Sequence, residues 1–182
     1  LRIIHKYRGN FVEFKATWNK TLKKCPAILV KELALATHNF FEKYSSRIAR
    51  QWHPLFVPAD QGLLQLYEHI SEKSSIRNPK GGLQTRTPLH LAAQEGNLEV
   101  CKFIIESTDD KNPRSDKGIT PFYLAAKNGH FEVCKFIMKY IEDKNPKIDD
   151  TFTPLHEAAY QGHLKICEMI LDEIVDKNPT ET

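Results

Sequence analysis

Thr87-Pro88-Leu89-His90-Leu91-Ala92-Ala93 returns 33 residues later as Thr120-Pro121-Phe122-Tyr123-Leu124-Ala125-Ala126, and after the same step as Thr153-Pro154-Leu155-His156-Glu157-Ala158-Ala159. Other residue types keep that register. Gly96, Gly129 and Gly162 do so, as do Cys101, Cys134 and Cys167. Asp110-Lys111-Asn112-Pro113 recurs as Asp143-Lys144-Asn145-Pro146 and as Asp176-Lys177-Asn178-Pro179. Self-similarity at a fixed period of this size means stacked supersecondary units, and it decides the architecture before any single element is read.

Each unit reads as a turn followed by two antiparallel helices. Thr87 can cap the first helix, and Pro88 sits at its first position, where a missing N–H leaves nothing unpaired. Ala92 and Ala93 offer almost no side chain, so neighbouring helices can approach closely. Gly96 ends the short helix where a positive φ is expected. A second helix is expected from about Leu98 to Ser107, with Leu98, Val100, Cys101, Ile104 and Ile105 as its buried stripe. Asn112-Pro113 then stops it and opens a polar turn. Neither helix buries its apolar face alone, so stacking supplies the core.

The seven-residue stretches at Thr87 and Thr153 resemble the first-helix signature of ankyrin repeats, a family whose period is also 33. The middle unit departs from it, with Phe122-Tyr123 in place of Leu-His, and the usual threonine–histidine hydrogen bond is not expected there. Thr151 stands where the hairpin glycine of the family is expected (Gly118 in the middle unit). The fold class implied is all-α, an ankyrin-repeat α-solenoid of three clear repeats plus one degenerate N-terminal repeat, with a helical N-terminal extension.

The degenerate repeat appears when the first clear unit is shifted back by 34. His53 to Gly62 then falls under Thr87 to Gly96, Leu64, Leu66 and Ile70 under Leu98, Val100 and Ile104, and Asn78-Pro79 under Asn112-Pro113. The extra residue lies around Gly81-Gly82. Pro58 replaces the first alanine and is expected to kink the short helix or confine it to one turn. A terminal repeat is atypical because one face lacks a neighbour. The expected array is 51–182, with repeats at about 53–86, 87–119, 120–152 and 153–182. At 176–182 the spacing expects another hairpin to begin.

Residues 1–50 differ in kind. They carry a net charge of +8 and the remainder −5, within a total of +3. Leu29, Leu33, Ala36, Phe40, Tyr44 and Ile48 form an amphipathic stripe, and a helix over 27–50 is expected to cover the open face of the first repeat. Residues 1–26 carry no assignable motif. A basic arm on an acidic body suits nucleic acid, a membrane surface or the body itself, and a solvated lysine-rich helix is the plainer reading. No apolar run approaches the ~20 residues of a membrane span. Composition (41% hydrophobic, 27% charged) fits a globular chain and not a disordered one.

Catalytic and metal chemistry find no footing. Cys25, Cys101, Cys134 and Cys167 include no C-x-x-C pair, and three share one register on the buried side of the second helix, as small hydrophobes. Reduced thiols point to an intracellular site, cytoplasmic or nuclear. Cys25 and His38 lack the further ligands that zinc needs. Gly81-Gly82 lacks the Lys-Ser/Thr ending of a phosphate loop. No enzyme activity, cofactor or metal is expected.

The resemblance implies that a protein partner binds the concave side, at hairpin tips and the outer ends of the first helices. By register these positions are Leu83, Gln84, Arg86, Gln94 and Glu95, then Asp116, Lys117, Ile119, Lys127 and Asn128, then Asp149, Asp150, Phe152, Tyr160 and Gln161. Here the repeats differ most, while their packing positions agree. Phe152 and Tyr160 are the expected anchors, since aromatics dominate interface hot spots; Phe152 covering its own hairpin is the competing reading. Lys117, Lys127 and Arg86, opposite Asp149 and Asp150, suit orientation and on-rate more than affinity. The expected function is therefore a scaffold or adaptor module. The alternatives are nucleic-acid binding through 1–50, or a regulatory segment of a larger protein.

Overall fold

The computed structural model describes residues 53, 55–74, 76–81, 85–148 and 152–175. The expectations for residues 1–50, including the helix over 27–50, and those for Leu83, Gln84, Asp149, Asp150 and Thr151 lie outside them. Eight helices are found among the described residues: α1 (Phe56–Gln61), α2 (Leu64–Lys73), α3 (Pro88–Gln94), α4 (Leu98–Ser107), α5 (Pro121–Lys127), α6 (Phe131–Met138), α7 (Pro154–Tyr160) and α8 (Leu164–Val175).

They pair as four antiparallel hairpins, one short helix and one longer helix each, stacked in chain order. The short helices α1, α3, α5 and α7 form one layer, and α2, α4, α6 and α8 form a second. The first layer is the more closely packed, because Ala92-Ala93 and Ala125-Ala126 are fully buried between neighbours and hold almost nothing apart. A stack tighter on one layer than on the other curves toward the tighter side. A single apolar core runs through the units, and Phe122, Cys134 and Ile137 are completely buried in it.

The repeated motifs each hold a defined bond. Thr87 closes a capping box with His90, whose ring Nδ1 accepts from the Thr87 N–H at 3.0 Å. The Asp-Lys-Asn-Pro stretch ties a unit to the next. The Asn112 side-chain oxygen accepts from the Phe122 N–H at 3.2 Å, as Asn145 does from Leu155 at 3.0 Å and Asn78 from Leu89 at 3.1 Å. The acceptor thus serves the second residue of the following short helix. Lys111 donates to the Ile105 and Thr108 carbonyls, and Lys144 to those of Met138 and Ile141, satisfying the ends of α4 and α6. Asp110 and Asp143 accept from the Asn112 and Asn145 N–H groups, which shapes the turn. Asn112-Pro113 therefore does more than stop a helix.

Pro58 acts differently from expectation. α1 begins two residues later than its register partner α3, so Pro58 falls in the first turn, where its N–H would have lacked a partner in any case. The helix is six residues long and carries the proline without a break. Tyr67 occupies the cysteine register in this unit and donates from its hydroxyl to the Arg77 carbonyl. Cys167 also departs from expectation: it is half-buried, whereas Cys101 and Cys134 are fully buried. Its flank faces the end of the described array.

Candidate protein-binding surface

Hairpins project from the tighter layer. Gly81 pairs with Arg86, and Ile148 with Phe152, as isolated antiparallel bridges. Between them the Ser115 N–H donates to Ile119 at 2.9 Å across the turn at Gly118, whose φ is 70°. Thr85 holds the equivalent place in the first clear unit and adopts φ 47° without being glycine. Its hydroxyl donates to the Asp116 carboxylate and accepts from the Asp116 N–H, so the neighbouring hairpin holds a strained residue. Arg114 donates to the Lys147 carbonyl at 3.2 Å and links the next pair of hairpins.

Of the residues expected to meet a partner, several come together. Arg86 is half-buried and donates to Gln94 at 3.0 Å, Gln94 donates to Glu95, and the Asn128 amide reaches the Gln94 carbonyl at 3.2 Å. The Nε of Arg86 is buried with no acceptor among the described residues, and desolvation lowers the guanidinium pKa. Asp116 and Lys117 are exposed on the middle hairpin, and Ile119 is partly covered. Phe152 is 58% exposed and Tyr160 85%. Phe152 also sets an edge against His156, with ring centroids 6.4 Å apart, so part of its face rests on its own unit. Gln161 is exposed beside Tyr160.

Lys127 is engaged. Its ammonium lies 2.8 Å from Glu157, which also accepts from Gln161 at 3.2 Å and from the Tyr123 hydroxyl at 3.0 Å. The Lys127 hydrogen bond leads in holding the Glu157 carboxyl below its usual pKa, against the upward push of desolvation. Burial, then Glu157, raises the Tyr123 phenol to about 12. Sequence reasoning marked Lys127 and Gln161 but not Tyr123 or Glu157 as a pair. The signal was available: Tyr123 replaces the signature histidine and Glu157 the leucine found at Leu91 and Leu124. The two departures meet across one junction.

His90 shows the regular arrangement. It is wholly buried, its Nδ1 accepts from Thr87, and its Nε2–H donates to the Ile119 carbonyl of the next hairpin at 2.9 Å. Burial, with lesser help from the Arg86 charge, lowers its pKa to about 4. The ring fastens hairpin to helix as a neutral tautomer. Among the described residues no group of three or more His, Cys, Asp or Glu is placed to hold a metal ion, and no helix is long and apolar enough to cross a membrane.

A family model described as ankyrin repeats (3 copies) matches residues 89–181. The chain belongs to the ankyrin-repeat family. No curated protein matches it. Ankyrin repeats are in general protein–protein interaction modules, and the family is typically non-catalytic. The ankyrin α-solenoid expected from the 33-residue period is the fold observed.

Proposed function

We propose that this ankyrin array is a scaffold or adaptor module that binds a protein on its hairpin side, with Phe152 and Tyr160 as apolar anchors. The observation that carries the reading is the exposure of these two aromatic side chains on one unit, at a hairpin and at the outer end of α7. Exposed aromatics beside polar groups suit a hot spot with a hydrated rim. Arg86, half-buried beside Gln94 near the Gly81–Arg86 hairpin, offers its charge to a partner at the same surface. Glu95, Asp116, Lys117, Ile119 and Asn128 fill the surface between, and Leu83, Gln84, Asp149 and Asp150 belong to it by register.

The test is affinity capture with the full chain against Phe152→Ala/Tyr160→Ala, after circular dichroism has shown both to be equally helical. Partners retained by the parent are expected to be lost by the variant. Equal recovery of the same partners removes the reading.

A further inference from the structure

In each of the three hairpins, the residue before the first paired position is basic. Lys80 precedes Gly81, which pairs with Arg86, and Lys147 precedes Ile148, which pairs with Phe152. Arg114 precedes Ser115, whose N–H donates to the Ile119 carbonyl at 2.9 Å. The three therefore share one register, 34 and then 33 residues apart. Side chains alternate between faces along an extended segment. Ser115 and Ile148 are buried, so the residues before them face outward, and Lys80, Arg114 and Lys147 are all exposed.

This row runs against the charge of the array, where residues 51–182 hold fifteen basic and twenty acidic residues, a net −5. Its members are also set close to their neighbours. Arg114 lies between two hairpins, with Nη1 donating to the Lys147 carbonyl at 3.2 Å and to the Gly118 carbonyl at 3.5 Å. At the first hairpin, the Lys80 and Arg86 charges both depress the His90 pKa, which places two cations together there. On the middle hairpin, the carboxylate of Asp116 is engaged by Thr85, and Lys117 adds a further exposed cation.

We propose that Lys80, Arg114 and Lys147 bind an extended acidic segment of the partner protein, with a carboxylate at every third residue. The proposal rests on the reading that the array binds a protein, and it adds that partner's chemistry. The spacing sets the pattern: stacked helices lie about 8–10 Å apart, and three residues of extended chain cover about 10 Å. A nucleic acid fits less well, because its continuous charge would also meet the acidic remainder of the array.

The test titrates the full chain with a seven-residue peptide, blocked at both ends, carrying Glu at its first, fourth and seventh positions among Gly and Ser. The control peptide has the same composition with its three Glu adjacent. Amide shifts of Gly81, Ser115 and Ile148 report on the row. They are expected to move saturably with the spaced peptide, at an affinity about threefold or more above that of the control and falling with added salt. Each of Lys80→Gln, Arg114→Gln and Lys147→Gln is expected to weaken binding roughly two- to fivefold. Arg114→Lys keeps the charge and is expected to stay within about twofold of the parent; a loss as large as that of Arg114→Gln would overturn the part given to the charge.

Equal affinity of the two peptides overturns the every-third-residue pattern, and unmoved amides overturn the site. Binding that survives the triple Gln variant would belong to the basic segment 1–50 and would overturn it too. A single-stranded oligonucleotide that moves the same amides more tightly than the spaced peptide would reassign the row to nucleic acid. The protein-capture reading fails separately: a triple Gln variant that recovers the parent's partners, where Phe152→Ala/Tyr160→Ala does not, overturns the row and leaves the aromatic anchors standing.

Discussion

His90 contributes to the fold only while its ring is neutral, since Nδ1 must accept from Thr87 as Nε2–H donates to Ile119. Its folded pKa of about 4 lies below the ordinary histidine value of about 6.5. Between those values the unfolded chain binds more protons, so stability rises with pH there. The contribution is complete above about 6.5 and is lost as pH falls toward 4, on the order of 3 kcal/mol in all. Urea unfolding at a series of pH values is expected to show this slope, and His90→Gln to flatten it while lowering stability at pH 7. A double-mutant cycle with Tyr123→Phe and Glu157→Gln is expected to give a coupling of about 1 kcal/mol, as residues in one hydrogen-bonded network do. A coupling near zero would mean that the two departures from the signature are independent.

At the scale of elements, the bonds between units rest on small polar motifs as much as on apolar stripes. Asn112→Ala leaves the Phe122 N–H without its acceptor at the start of α5, and a loss of about 1 kcal/mol is expected by analogy with helix caps, measured as a lowered urea midpoint. The apolar stripe and the helix ends were legible in the sequence because period and capping chemistry are local. Leu98–Ser107 is the helix that the spacing of Val100, Cys101, Ile104 and Ile105 predicts. The start of α1 was not legible, because Pro58 admits two helix starts and only tertiary packing chooses between them. The surface was legible in part. Register located Arg86, Gln94 and Asn128 on one side, but the union of Lys127 with Glu157 depends on a junction between units, which no single repeat encodes. The strain at Thr85 was not legible for the same reason, since the residue that holds it, Asp116, is on the next hairpin.

For the whole molecule, stability is a sum of units and junctions, and glycine substitutions can separate the two terms. Gly129 and Gly162 both have φ 77°, so an added Cβ meets the same backbone strain at each, roughly 1–2 kcal/mol. At Gly129 the Cβ also meets the His163 ring at 2.6 Å, and that ring cannot yield without giving up its bond to the Lys127 carbonyl at 3.0 Å. Gly129→Ala therefore carries both the strain and a broken junction, and it is expected to cost about 1 kcal/mol or more beyond Gly162→Ala. Chemical denaturation of the two variants measures the difference directly. Equal losses would mean that His163 moves freely and that the imidazole bond holds nothing together.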